Sequence, residues 1–234
     1  MAADFGTPQD GLVRQKASFD WIAGTTPAFA QYRQMDDLLG ARFIDLHWET
    51  GDRQAMALQA AQNNAALAQI KLELATEVQG LLDGVRLTAD ETAPLTDEQF
   101  KWVSNTADLT ALLRSPVARD RWHNLLFKPE PEVGTDLAQG FSRAAAGLQA
   151  LRVVDWRPHI ARLAHDSIPH PRREIMKELI RGSVEEGKWT GASAAARSYE
   201  FQDLGELGVT RKEGTHWVIM PDLVDRMGEF VSGW

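Results

Sequence analysis

Residues 182–189, "GSVEEGKW", place Gly182, Gly187 and Lys188 at the spacing of a phosphate-binding loop. Such a loop works because successive backbone N–H groups cradle a phosphate, the lysine reaches its outer oxygens, and a following Ser or Thr holds Mg²⁺. Trp189 occupies the hydroxyl position here, and Glu185 and Glu186 bring two carboxylates to where the anion would sit. "PRREIMKELIR", just before it, has a helical pattern where such a loop needs a strand. The stretch reads as a polar turn after a helix.

Other chemistry-bearing residues are equally sparse. His159 and His165 are six apart, the wrong spacing for two ligands on one helical face, and His170 lies beyond that helix, so no metal site is expected. Neither a G-x-S-x-G nor an H-E-x-x-H pattern occurs. The acidic pairs Asp36-Asp37 and Glu185-Glu186 are adjacent, so each pair splays on a helix and reads as solvated. Trp102, Trp122, Trp156 and Trp217 fall in apolar patterns and read as core.

The elements that must position any site belong to a chain of 234 residues, 44% hydrophobic, 25% charged and of net charge −8. That describes one large or two smaller globular domains with a substantial core. No cysteine is present, which rules out disulfides and thiolate metal sites and fits a reducing, cytoplasmic setting. No apolar run reaches the roughly 18 residues needed to span a bilayer. The acidic balance disfavours broad electrostatic binding to nucleic acid and leaves only a local basic patch for that purpose.

Along the chain, residues 1–17 read as a loop or frayed terminus. "SFDWIAG" (18–24) and "RFIDLHWE" (42–49) read as strands joined by a helix over 27–40, which implies a parallel pair. From 52 to 84 the pattern is helical, with Met56, Leu67, Ile70, Leu74, Val78 and Leu81 on one stripe of a helix about 45 Å long. Thr96 and Gln99 form a capping box that opens the next helix, and Pro116 interrupts it. Further helices are expected at 135–152, after an Asp155 cap, and from Pro171 to 181. The final segment reads as a helix over 192–208, a hairpin around Lys212-Glu213-Gly214 and a closing helix at 221–231. Helix followed by hairpin is the outline of a winged helix.

Two stretches carry a family likeness. "WIAGTTPAFAQYRQMDDLLGARFIDLHWETGDRQ" resembles the late part of the ATPase core of phage- and plasmid-type P-loop, AAA+-like helicase or primase-associated proteins. "LLRSPVARDRW", with the helices through residue 180, resembles the helical lid that follows it, distantly like that of minichromosome-maintenance helicases. The resemblance covers about residues 18–219 and rests on order and spacing. It implies a mostly α chain in three parts: a partial α/β core remnant with two short parallel strands (1–51), a helical lid bundle (52–181) and a winged helix (182–234).

The family implies roles for single residues. Thr26, with Thr25 as second choice, matches the sensor position near the γ-phosphate, although both threonines also suffice as caps for a helix starting at Pro27. Arg42 in "LGARF" matches an arginine finger, which neutralises charge on the transferring phosphoryl group. Arg119 and Arg121 are weaker candidates for that task. The nucleotide-gripping loop and the acidic Mg²⁺ strand are not in this sequence, and Asp136 stands where the family's lid carries Arg. The expectation is a chain without ATPase activity and without cofactor, using ATP only if a partner chain completes the site.

A winged helix implies DNA contacts from Arg197, Ser198, Tyr199, Arg211, Lys212 and Thr215. Residues 182–234 hold five basic and nine acidic side chains, a net of −4, which opposes phosphate binding. The expected functions are therefore DNA binding in phage or plasmid DNA metabolism, docking in trans on a nucleotide-binding chain, or protein–protein interaction without DNA. The partners are DNA, that partner chain or a second copy, with no membrane.

Overall fold

The computed structural model of the protein describes residues 2–5, 13–16, 44–47, 51–89, 94–189 and 194–231, and the chain divides into the units Met1–Asp36 and Asp37–Trp234. In the first unit, β1 (Ala2–Phe5) pairs antiparallel with β2 (Val13–Lys16), Ala2 opposite Lys16 and Phe5 opposite Val13. This corrects the reading of residues 1–17 as loop. The ladder is made by backbone groups, which polar composition does not report. The segments 18–24 and 27–40 lie outside the described residues.

The second unit is mostly helical among its described residues. Asp52 opens α1 (Arg53–Asn63) by accepting from the N–H groups of Gln54 and Ala55. A 3₁₀ turn at Asn64–Ala66 separates it from α2 (Leu67–Ala89), so the single long helix expected from the pattern is two helices in series. The capping box opens α3 (Asp97–Arg114) as expected: the Gln99 N–H donates to Thr96 Oγ1, and the Thr96 N–H donates to Gln99 Oε1 at 2.8 Å. Next come α4 (Thr135–Ala150), α5 (Arg157–Asp166) and α6 (His170–Arg181). Asp155 does not cap α5; Trp156 holds the N-cap position without a side-chain bond, and Pro158 in the first turn needs no donor.

After α6 the order is β3 (Val184–Glu185), a 3₁₀ turn at Glu186–Lys188, α7 (Ala194–Glu206), β4 (Thr210–Glu213), β5 (His216–Ile219) and α8 (Pro221–Val231). The sheet order is β3-β5-β4, and both pairs are antiparallel. The Lys212-Glu213-Gly214 hairpin is present, and Gly214, at φ 62°, takes the left-handed turn conformation that glycine tolerates.

Every described sheet is antiparallel, so the expected parallel pair is corrected. Of the strand expected at 42–49, the described residues 44–47 form no strand. Their partners are side chains, as described below, and side chains cannot build a ladder.

One buried cluster runs through α3 to α8. Phe141, Ile160, Ile175, Met176, Phe201, Leu204 and Met227 are fully enclosed in it. Trp217 stacks on Phe201 at 5.7 Å, and Trp189 meets the same ring edge-on at 6.0 Å. The tightest backbone approach is at Gly134. A Cβ there would lie 2.9 Å from the Ala107 carbonyl carbon and oxygen and from the Asp108 Cα. Backbone of a helix cannot yield as a side-chain tip can. Gly134→Ala is therefore expected to lower unfolding free energy by about 1–3 kcal/mol in urea titration, because overpacking forces α3 and α4 apart.

Candidate functional site

The most connected polar cluster sits where α7 meets the turn after α3. Arg172, at the start of α6, is 6% exposed. Its guanidinium donates to the Leu113 and Ser115 carbonyls at 2.9 and 2.7 Å, satisfying the C-terminal end of α3. It also donates to Glu200 at 3.2 Å and lies 3.6 Å from Asp203, both on α7. Asp203 accepts two bonds from Arg119, at 2.9 and 2.6 Å. The two guanidinium groups and two carboxylates are charge-balanced, which lets them be buried.

Arg119 and Tyr199, assigned to different tasks by the sequence, are thus brought together. The Arg119 guanidinium lies 5.2 Å from the Tyr199 ring, and that ring stacks on His123 at 4.4 Å. Arg119 also donates to the His123 carbonyl at 2.8 Å. The turn itself is held by Asp120, whose carboxylate accepts from the Trp122 and Asn124 N–H groups and from the Asn124 amide. Those bonds, the Asn124 side chain first, hold the Asp120 carboxyl below its ordinary pKa. They also fix His123 at φ 65°, unusual for a residue other than glycine.

Beyond this anchor the turn is open. Residues 121–128, "RWHNLLFK", are all exposed. Trp122 is 65% exposed, and the Arg121 guanidinium lies over its ring at 3.8 Å. This corrects the reading of Trp122 as core; Trp156 and Trp217 are buried as expected and Trp102 partly so. The run is apolar but has neither helical nor strand period, and Pro116 and Pro129 hold it too short for a packed helix. That signal was present in the sequence.

The remaining residues named from sequence are dispersed. Thr25, Thr26 and Arg42 lie outside the described residues, as does the Arg197 side chain. Ser198 accepts from the Gln202 amide at 3.2 Å. Arg211 pairs with Glu213 at 2.6 Å, the Lys212 ammonium lies 5.5 Å from the Trp217 ring centre, and Thr215 is within 3.1 Å of the His216 ring. Asp136 falls in the first turn of α4, where the helix dipole favours a carboxylate. Lys188 pairs with Glu185 at 2.6 Å; that bond raises the lysine pKa and lowers the carboxyl pKa, so the ammonium is engaged by its own loop.

Residues 44–47 are clamped on the bundle. The Asp45 N–H donates to Ser167 Oγ at 3.2 Å, and the His47 N–H donates to Asp166 Oδ2 at 3.0 Å. Arg162 donates to the His47 carbonyl at 3.2 Å, and the Ile44 side chain lies against Gly140, where a Cβ would meet it at 2.8 Å. Asp166 is buried and also accepts from Arg173 at 3.1 Å. His165 stands beside both.

A cleft of about 820 Å³ opens between α3, the start of α5 and α8, lined by Trp102 and by charged residues of both signs. Its two arginines are already engaged: Arg157 with Glu98 at 3.3 Å, and Arg226 with Asp108 and Asn105. Among the described residues no cluster of three His, Asp or Glu converges, and no helix is long and apolar enough to cross a membrane.

A stripe of apolar side chains is exposed on α2. Leu67, Ile70, Leu74, Val78 and Leu81 lie on one stripe and are 38–62% exposed. No residue of α1 is buried. No family model matches the chain, and comparison with curated proteins and with solved structures returns no match.

Burial, and then the Arg173 charge, lower the His165 pKa from its ordinary value near 6.5. The folded state thus favours neutral imidazole. As pH falls below about 6.5 the unfolded chain takes up a proton that the folded chain resists, so stability is full above that pH and is lost on the way down to the folded pKa. In thermal melts from pH 8 to 5, His165→Gln is expected to flatten part of that decline.

Proposed function

We propose that this chain is the non-catalytic docking part of an AAA+-like ATPase system, a lid bundle with a winged-helix-like end that works by binding another protein. The observation that carries the reading is the uncovered stripe of α2. A lone helix of this length is marginal in water, and its stability in proteins comes from packing an apolar face. Here Leu67, Ile70, Leu74, Val78 and Leu81 on that face meet solvent. The flanking Glu73, Glu77 and Asp83 suit a partner surface that is apolar at its centre and cationic at its border.

Against a primary role in reading DNA stands the covering of α7. The face bearing Tyr199, Glu200 and Asp203 is occupied by Arg119, His123 and Arg172, and the exposed Gln202 and Glu206 supply no cation. Catalysis by this chain alone is not part of the proposal, since Lys188 and Arg119 both hold carboxylates.

Hydrogen exchange tests the docking reading. Amides of residues 67–81 are expected to exchange far faster than those of α3 in dilute protein, and to gain protection when the stripe is covered. Strong protection in a dilute monomer would mean that the chain covers its own stripe, and the reading fails.

A second reading has its own observation. The sheet order β3-β5-β4, with α7 between β3 and β4 in the chain, supports a winged-helix reading, and Arg211, Lys212 and Thr215 are exposed at the hairpin. With the Tyr199, Glu200 and Asp203 face of α7 covered, this reading assigns the DNA contact to the hairpin. Two cations give a slope of log affinity on log salt of about −1.8, abolished by Arg211→Ala with Lys212→Ala in fluorescence anisotropy. A much steeper slope would require other cations and would overturn this account of the contact.

A further inference from the structure

The docking reading leaves the partner open, and the protein carries a second uncovered apolar surface whose chemistry answers the first. Within residues 67–85, Lys71 is set against Glu73, Glu77 and Asp83, a net of −2. Within residues 120–128, Arg121 and Lys128 are set against Asp120 alone, a net of +1. Trp122, Leu126 and Phe127 on that turn are 59–65% exposed, matching in character the exposed leucines of α2.

Resting on the docking reading, we propose that the 121–128 turn of one copy docks on the α2 stripe of a second copy of this chain. Three features favour this occupant. The turn is preorganised, because Asp120 collects three donors and Arg119 is tied to Asp203, so displaying Trp122 costs little ordering entropy on binding. An exposed tryptophan with a guanidinium stacked on it is the composition that dominates binding energy at interfaces. The charge balance selects against the symmetric alternative, since pairing α2 with α2, or turn with turn, would set like charges together.

Each copy offers one turn and one stripe, so docking either is reciprocal and closes a two-fold dimer, or runs head to tail until a larger ring closes or a filament extends. Both patches are small, so association is expected to be weak and salt-sensitive.

Sedimentation velocity on the whole chain, up to about 100 µM and at low and high salt, provides the test at concentrations suited to a small interface. The wild type is expected to form dimers or larger species, diminished by salt. Leu74→Glu with Val78→Glu, and separately Trp122→Ala with Phe127→Ala, are each expected to be monomeric alone. All four residues are exposed, so far-UV circular dichroism should be unchanged. Mixed together, the two variants are expected to stop at a one-to-one pair, because only one intact turn and one intact stripe remain.

Self-association by the turn variant alone would indicate stripe-to-stripe pairing and overturn the proposal. A wild type that stays monomeric overturns it too, whether or not the turn then binds single-stranded DNA or anionic vesicles. In that case fast exchange of the α2 amides would still uphold the docking reading with a different partner, so the two failures are distinguishable.

Discussion

The charge network of Arg172, Asp203, Arg119 and Glu200 is the constraint on which the arrangement of the second unit depends. Arg172 comes from α6, the two carboxylates from α7, and Arg119 from the turn after α3. None of the four could be buried alone, since a desolvated charge without a partner costs far more than a hydrogen bond returns. Because Arg172 also serves the last carbonyls of α3, one guanidinium joins the end of one helix, the start of another and the side of a third. The hydrophobic cluster pulls these helices together; the network fixes which faces meet.

That constraint has two structural consequences. It covers the face of α7 that bears Tyr199, Glu200 and Asp203, and it anchors the base of the 121–128 turn through Arg119. Asp120 extends the effect by binding the turn's own donors, and His123 is held in a backbone region that few residues adopt without such support.

Residues 44–47 and α2 show two ways of treating chain that lies outside the core. The first is fixed by side-chain groups at the end of α5, where Ser167 and Asp166 accept the N–H groups of alternate residues as a neighbouring strand would. The second is regular in itself and leaves the stripe from Leu67 to Leu81 exposed. Its polar pairs, Gln69 with Glu73 and Gln79 with Asp83, support helical geometry locally and add no burial.

Much of the fold was legible from local signals. The Thr96 capping box, the prolines in the first turns of α5 and α6, and the hairpin at Gly214 act over a few residues and declare their positions in the sequence. The break at residues 64–66 and the missing Asp155 cap were not legible, because local pattern there permits several outcomes. Nor was the site. "PRRE" reads as an ordinary charged helix start, and nothing in it announces that Arg172 will be buried against Asp203. Trp122 was assigned to the core because apolarity alone cannot distinguish a residue facing inward from one fixed outward by a turn. The sequence by itself determined the helical character, the helix starts and the apolar period of α2. Tertiary structure alone decided which charges pair, which aromatic rings are enclosed and which stripe stays uncovered, because those outcomes depend on contacts between residues far apart in the chain, where no short pattern holds the information.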